Sequence, residues 1–183
     1  MIVTEKPIDF TTSESFKSQK YDTYSEEGKA FLFNIASNQI FTNKQLAIIR
    51  EYSTNASDAH VESGIPERPI KVSLPNDLSP VLKIRNFGRG MSEEVIWNVY
   101  SKICESSKRK TNDQVGMLGI GSKSAFCYGD SFTVHTYIDG VKKTYFGTKA
   151  NSPVGDFMEI GSFETDEENG TEEIGRASCR ERV

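Results

Sequence analysis

The 183-residue chain is poor in the residues that build disulfide frameworks, metal cages and membrane spans. Its three cysteines (Cys104, Cys127 and Cys179) and two histidines (His60 and His135) show no metal-ligand spacing. Such sparse cysteine suits a reducing compartment, with Cys104 and Cys127 read as small packed apolar residues. No apolar run approaches the roughly 20 residues that cross a bilayer. The opening MIVTEKPIDF lacks the apolar core of a signal peptide. A net charge of −4 argues against a surface that coats nucleic acid, and no nucleic-acid partner is expected. The GxxxxGK[ST] spacing of a P-loop is also missing.

What is present fits one globular domain. Residues 1–24 read as a polar N-terminal arm, with a strand expected at Glu14–Gln19. Ser25 followed by two glutamates and an apolar series predicts a capped helix over 26–37. Thr42 is expected to cap a longer helix over 43–62 that stops at Gly64, with Leu46, Ile49, Tyr52, Ala56 and Ala59 as its apolar face. Alternation predicts strands at Pro69–Leu74 and Pro80–Arg85. Ser92 starts another helix, with Glu93 and Glu94 in its first turn. Residues 105–118 are polar and glycine-containing, and read as a mobile loop. A short helix is expected from Gly119 to Cys127. Strands are expected at Ser131–Ile138, Lys142–Thr148 and Phe157–Ser162, the first two joined at Asp139-Gly140. Glu164–Gly170 reads as a charged turn. Runs of helices beside runs of strands indicate an α+β, two-layer α/β sandwich with a mixed, mostly antiparallel sheet.

Three short motifs carry the chemistry. EYSTNASDA (51–59) sets Glu51, Asn55 and Asp58 at i, i+4 and i+7, on one stripe of a helix bordering its apolar face. Charged groups on a core margin need a partner or a task. A carboxylate can activate water, and one side-chain amide oxygen is enough for Mg2+, which keeps several waters. NFGRGM (86–91) is a turn in which Gly88 and Gly90 supply positive φ and close backbone approach. GMLGIGSKSAF (116–126) is a glycine-rich loop entering a helix, where converging N–H groups favour phosphate. Its Gly119, Ile120, Gly121, Ser122 and Lys123 are candidate ligand contacts, Lys123 through its charge.

In this order the motifs resemble those of the GHKL ATPases, which include gyrase B, the heat-shock ninety chaperones, histidine kinases and MutL. The resemblance implies the Bergerat fold, with ATP and Mg2+ as cofactors. It implies that Glu51 orients and activates the attacking water and that Asn55 holds the metal. Asp58 and Ala59 complete the first motif, and Met91 packs against adenine. Ser106, Ser107 and Lys108 resemble the start of an ATP lid, and Gly170-Thr171 resembles the last motif. One position departs from the pattern: Asn86 stands where the family has the aspartate that accepts from the adenine amino group. An amide can still accept through Oδ1, but donor would meet donor if its NH2 faced the amine. That departure favours a non-catalytic, nucleotide-gated interaction module, and the retained Glu51 favours slow hydrolysis.

Over roughly residues 40–148 the chain is similar to the RIIA lysis-control family of tailed phages. That resemblance implies the cytoplasm of an infected host, membrane association, a RIIB-like companion protein and an ATP-dependent dimer.

Residues 174–183, IGRASCRERV, back-translate codon by codon into a short-read sequencing adapter, and Glu173 extends the match upstream. They are therefore expected to be an appended artefact that packs against nothing. The GHKL-like domain would then occupy residues 25–173 and be truncated at its C-terminus, with the strand after Thr171 missing.

Overall fold

A computed structural model describes residues 25–35, 41–102, 121–149 and 155–176. Helix α1 spans Glu26–Asn34 and is capped by Ser25, whose hydroxyl accepts from the Gly28 N–H at 3.1 Å. Helix α2 spans Lys44–Glu62. Its cap is Asn43, not Thr42: Asn43 Oδ1 accepts from the Leu46 N–H at 2.9 Å. Both residue types cap well, so their order along the chain could not choose between them. The face that α2 buries holds Ala47, Ile48, Tyr52, Ala56, Asp58 and His60. Leu46 and Ile49 are exposed, so the apolar stripe is rotated from the expected one and runs through Ile48, Tyr52 and Ala56.

Six strands follow among the described residues: β1 (Lys71–Ser73), β2 (Val81–Arg85), β3 (Ser131–Ile138), β4 (Val141–Thr148), β5 (Asp156–Glu164) and β6 (Gly170–Arg176). They form one sheet in the order β1-β2-β6-β3-β4-β5. All five pairings are antiparallel, so no parallel pair exists among the described residues. The β3–β4 hairpin turns at Asp139-Gly140, both with positive φ, as an Asp-Gly pair allows. Between β2 and β3 lies helix α3 (Glu93–Val95), which opens directly into a π-helical turn, Ile96–Tyr100. The expected regular helix is thus one wide turn, closed by the Ser101 N–H on the Ile96 carbonyl at 2.9 Å. A 3-10 turn at Gly121–Lys123 leads into α4 (Ala125–Tyr128).

Helices α2 and α4 cover one face of the sheet. The core between the layers is built from Ile48, Tyr52, Leu82, Ile84, Ile96, Phe126, Phe132, Val134 and Tyr145. The period-2 alternation of β2 and β3 turns Leu82, Ile84, Phe132 and Val134 toward the helices, and each is nearly fully buried. At roughly 25 cal/mol per Å2 of apolar surface, such burial is the main driving force for joining the layers.

Strand β6 corrects the expectation that residues 174–176 pack against nothing; residues 177–183 lie outside the described residues. It continues through Ile174, Gly175 and Arg176, which pair with Lys83, Leu82 and Val81 of β2. On the other side, Ile174 and Gly175 pair with Thr133 and Phe132 of β3. Main-chain pairing asks little of side chains, and Gly175 leaves room for Ile48 and Tyr128. Residues 174–176 therefore pack in the sheet, and the strand after Thr171 is present. The expected strand at Glu14–Gln19 and the loop over 105–118 lie outside the described residues. Truncation after Glu173 is expected to lower the melting temperature by several degrees, because it strips three residues from the centre of the sheet. An unchanged melting curve would show that these pairings contribute nothing.

Candidate functional site

Helix α2 brings the three motifs to one place. Glu51 is half-buried, and Arg50 Nη2 donates to its Oε1 at 2.9 Å. Gly121 of the third motif lies directly against it. A Cβ at Gly121 would lie 2.6 Å from Glu51 Oε2, so the contact needs glycine there. The candidate base of the first motif and the candidate phosphate loop of the third are thereby adjacent.

One turn along, Asn55 Nδ2 reaches toward the carboxylate of Glu173 on β6, at 3.4 and 3.5 Å. Tyr100 Oη donates to the same carboxylate at 2.9 Å. Glu173 is only 4% exposed, and its register partners Ile84 and Val134 are apolar. Burial pushes the Tyr52 and Tyr100 phenols well above their ordinary range, and the nearby Glu173 charge pushes the same way. Glu173 was not singled out as a site residue, because only the long-range placement of β6 brings it to Asn55. With the amide nitrogen turned to the carboxylate, Asn55 Oδ1 has no hydrogen bond to any described residue. An amide oxygen in that state is a ligand type that suits Mg2+. Among the described residues, no group of three or more His, Cys, Asp or Glu side chains forms a metal cage. Asn55 would hold the ion together with water and phosphate oxygens.

The C-terminal end of α2 grips the second motif. His60 is 1% exposed, and the Phe87 N–H donates to its Nε2 at 2.8 Å. Because that nitrogen must accept, the ring proton sits on Nδ1 and is donated to the Arg68 carbonyl at 2.9 Å. Ser63 Oγ donates to the Ala59 carbonyl at 2.7 Å and accepts from the Arg89 N–H at 3.1 Å. A Cβ at Gly88 would meet the Ala59 carbonyl oxygen at 2.8 Å. Close approach is therefore what Gly88 supplies. Positive φ belongs to Gly90 alone of the two, at +81°. Asp58, beside these groups, is buried.

Asn86 ties the turn to β6. Its N–H donates to the Thr171 carbonyl at 2.9 Å, and its Oδ1 accepts from the N–H groups of Gly88 (3.2 Å) and Thr171 (3.1 Å). Gly170-Thr171 is thus joined to the 86–91 turn, at the start of β6. Met91 is fixed through both main-chain groups by Thr136 Oγ1, at 2.8 and 3.0 Å, and packs against the core. The Arg85 guanidinium is buried, donates to the Asn86 carbonyl and lies 4.1 Å from the Tyr137 ring centroid. Burial lowers its pKa from the ordinary arginine value.

Lys123 departs from expectation. It is 5% exposed, and its ammonium donates to the carbonyls of Tyr100 and, at 2.7 Å, Lys102. The charge meant for phosphate here caps the end of the π turn, where unpaired carbonyls favour a cation. Ser122 lies in the 3-10 turn over Gly121–Lys123. Ser106, Ser107, Lys108, Gly119 and Ile120 lie outside the described residues.

His60, like Glu173, was not among the residues that sequence spacing singled out, and its role can be measured. His60→Ala leaves the Phe87 N–H without its acceptor, at a cost of about 1–3 kcal/mol. Denaturant unfolding should show that loss, and hydrogen exchange at the Phe87 amide should accelerate. His60→Gln, which can still accept and donate, should recover part of both. Unchanged exchange in His60→Ala would remove the staple.

The site geometry agrees with relatives found by sequence. The family model described as histidine kinase-, DNA gyrase B- and HSP90-like ATPase matches residues 45–152. That range is more than half of the chain and contains the first two motifs and the third. A chaperone protein HtpG from Rickettsia typhi is 27% identical over 179 residues. The match covers 85% of this chain but 27% of the chaperone, so the chain spans about a quarter of that relative's length. The α+β fold, the interlocked motifs and the family match lead to one conclusion: the chain belongs to the histidine kinase-, DNA gyrase B- and HSP90-like ATPases.

Proposed function

We propose that this domain binds ATP with Mg2+ and hydrolyses it slowly. The observation that carries the reading is the contact of Glu51 with the Gly121 loop, on the same helix whose other end holds the 86–91 turn. A phosphate chain along the glycine loop would end beside Glu51, while the base would lie against Asn86, Gly88, Gly90 and Met91. Asn55 Oδ1 would hold Mg2+, which when bound would supply charge neutralisation at the phosphates. Glu51 accepts the proton of the attacking water as its oxygen bonds to the γ-phosphorus and the bond to the ADP oxygen breaks. Arg50, paired with Glu51 from an exposed position, steadies the carboxylate.

A non-catalytic, nucleotide-gated module draws support from two residues. Asn86 replaces a carboxylate, and Lys123 has its ammonium on helix-end carbonyls. At the level of the whole protein, similarity over residues 40–148 supports a tailed-phage RIIA-like lysis-control role. The setting would be the cytoplasm of an infected host, with a RIIB-like companion, membrane association through a C-terminal part, and an ATP-dependent dimer.

Glu51→Ala is expected to lower turnover about a hundredfold or more while ATP still binds. Steady-state phosphate release and calorimetry on the same protein separate the two effects, and unchanged turnover would favour the non-catalytic module. Asn55→Ala should abolish the gain in ATP affinity that Mg2+ brings. Equal metal dependence in that variant and the parent would take the metal away from Asn55.

A further inference from the structure

The Asn86 carboxamide has a fixed orientation. Two main-chain N–H groups, those of Gly88 and Thr171, converge on one of its terminal atoms at 3.2 and 3.1 Å. An N–H can only donate, so that atom must be the oxygen. The flipped amide would set an NH2 group against two donors in a residue only 5% exposed. The oxygen is therefore committed to the protein. The Nδ2 amine has no hydrogen bond to any described residue, yet it is not sealed among the buried unpaired atoms. What position 86 offers an incoming ligand is a donor.

Four acceptors around this junction are already engaged within the protein. The Asn86 carbonyl takes the Arg85 guanidinium, and the Thr171 carbonyl takes the Asn86 N–H. Thr136 Oγ1 is occupied by both main-chain groups of Met91. The Glu173 carboxylate is engaged by Tyr100 and Asn55. A carboxylate at position 86 would spend one oxygen on the same two N–H groups and keep the other as an acceptor, complementary to an exocyclic amine. The amide inverts that second group.

From this geometry we propose that the base subsite favours 6-oxopurine nucleotides, guanine or hypoxanthine, over the 6-aminopurine adenine. The inference rests on the reading of residues 86–91 as the base-facing turn. A 6-oxo group would accept from Asn86 Nδ2, whereas a 6-amino group would set donor against donor. ATP then binds at a disadvantage of about tenfold to a hundredfold, the cost of one mismatched polar contact.

Inosine diphosphate and ADP separate the question cleanly, because both lack a 2-amino group and differ at the 6-position edge. Calorimetry on the full chain should show inosine diphosphate binding at least about tenfold tighter than ADP. Asn86→Asp, which restores an acceptor, should reverse the order. Equal or weaker binding of inosine diphosphate to the parent chain would overturn the preference and leave the nucleotide site standing. Binding of neither nucleotide would overturn the site reading and the preference together. The parent comparison decides even if Asn86→Asp fails to fold.

Discussion

The junction of Asn86 with Thr171 is the constraint on which the rest of the molecule depends. Here the last strand in sequence enters the middle of the sheet, between β2 and β3. The Asn86 N–H bonds the Thr171 carbonyl, and the Thr171 N–H returns the bond to Asn86 Oδ1. Without β6, β1–β2 and β3–β4–β5 would be separate ribbons, each with an open edge. The same bonds hold the 86–88 turn in shape, so sheet closure and the shaping of that turn are one event. A typical hydrogen bond contributes about 1 kcal/mol net, but leaving such buried partners unmatched costs more. That asymmetry is why a single amide can matter to both fold and site.

Helix α2 acts as the ruler of the site. From Glu51, under the Gly121 loop, to His60, on the Phe87 N–H, is nine residues, or roughly 13–14 Å of helix. The two glycines that touch it, Gly88 and Gly121, let main chain approach where a side chain would collide. Phe87 is held from the other side by the Arg68 and Arg85 guanidinium groups, 4.1 and 5.1 Å from its ring centroid. Such cation–ring contacts add of order 0.5–2 kcal/mol each. The turn is thus clamped by main chain, ring and charge at once.

Local signals were legible in the sequence, and long-range ones were not. Ser25 as a cap, the Asp139-Gly140 hairpin and the β2 and β3 alternation follow from chemistry within a few residues. The grouping of Glu51 and Asn55 on one stripe follows from helical period alone. The burial of Lys123 on the Tyr100 and Lys102 carbonyls depended on where the π turn ends. The approach of Glu173 to Asn55 depended on β6 entering between two distant strands. The role of His60 was not legible because its partner, Phe87, lies 27 residues away in sequence. The pairing of residues 174–176 was not legible either, because it is made by main chain and depends on β6 entering between β2 and β3.

Nuclear magnetic resonance of the labelled chain, titrated with a Mg2+–nucleotide, tests the central claim most directly. The claim is that the Asn86 junction and the Glu51–Gly121 contact are two ends of one nucleotide site. The account predicts that the Asn86 side-chain amide and the Gly88 and Thr171 amides shift together with the Gly121 amide, along a single binding curve. Shifts at only one of these ends, or confined to residues remote from α2 and β6, would contradict it.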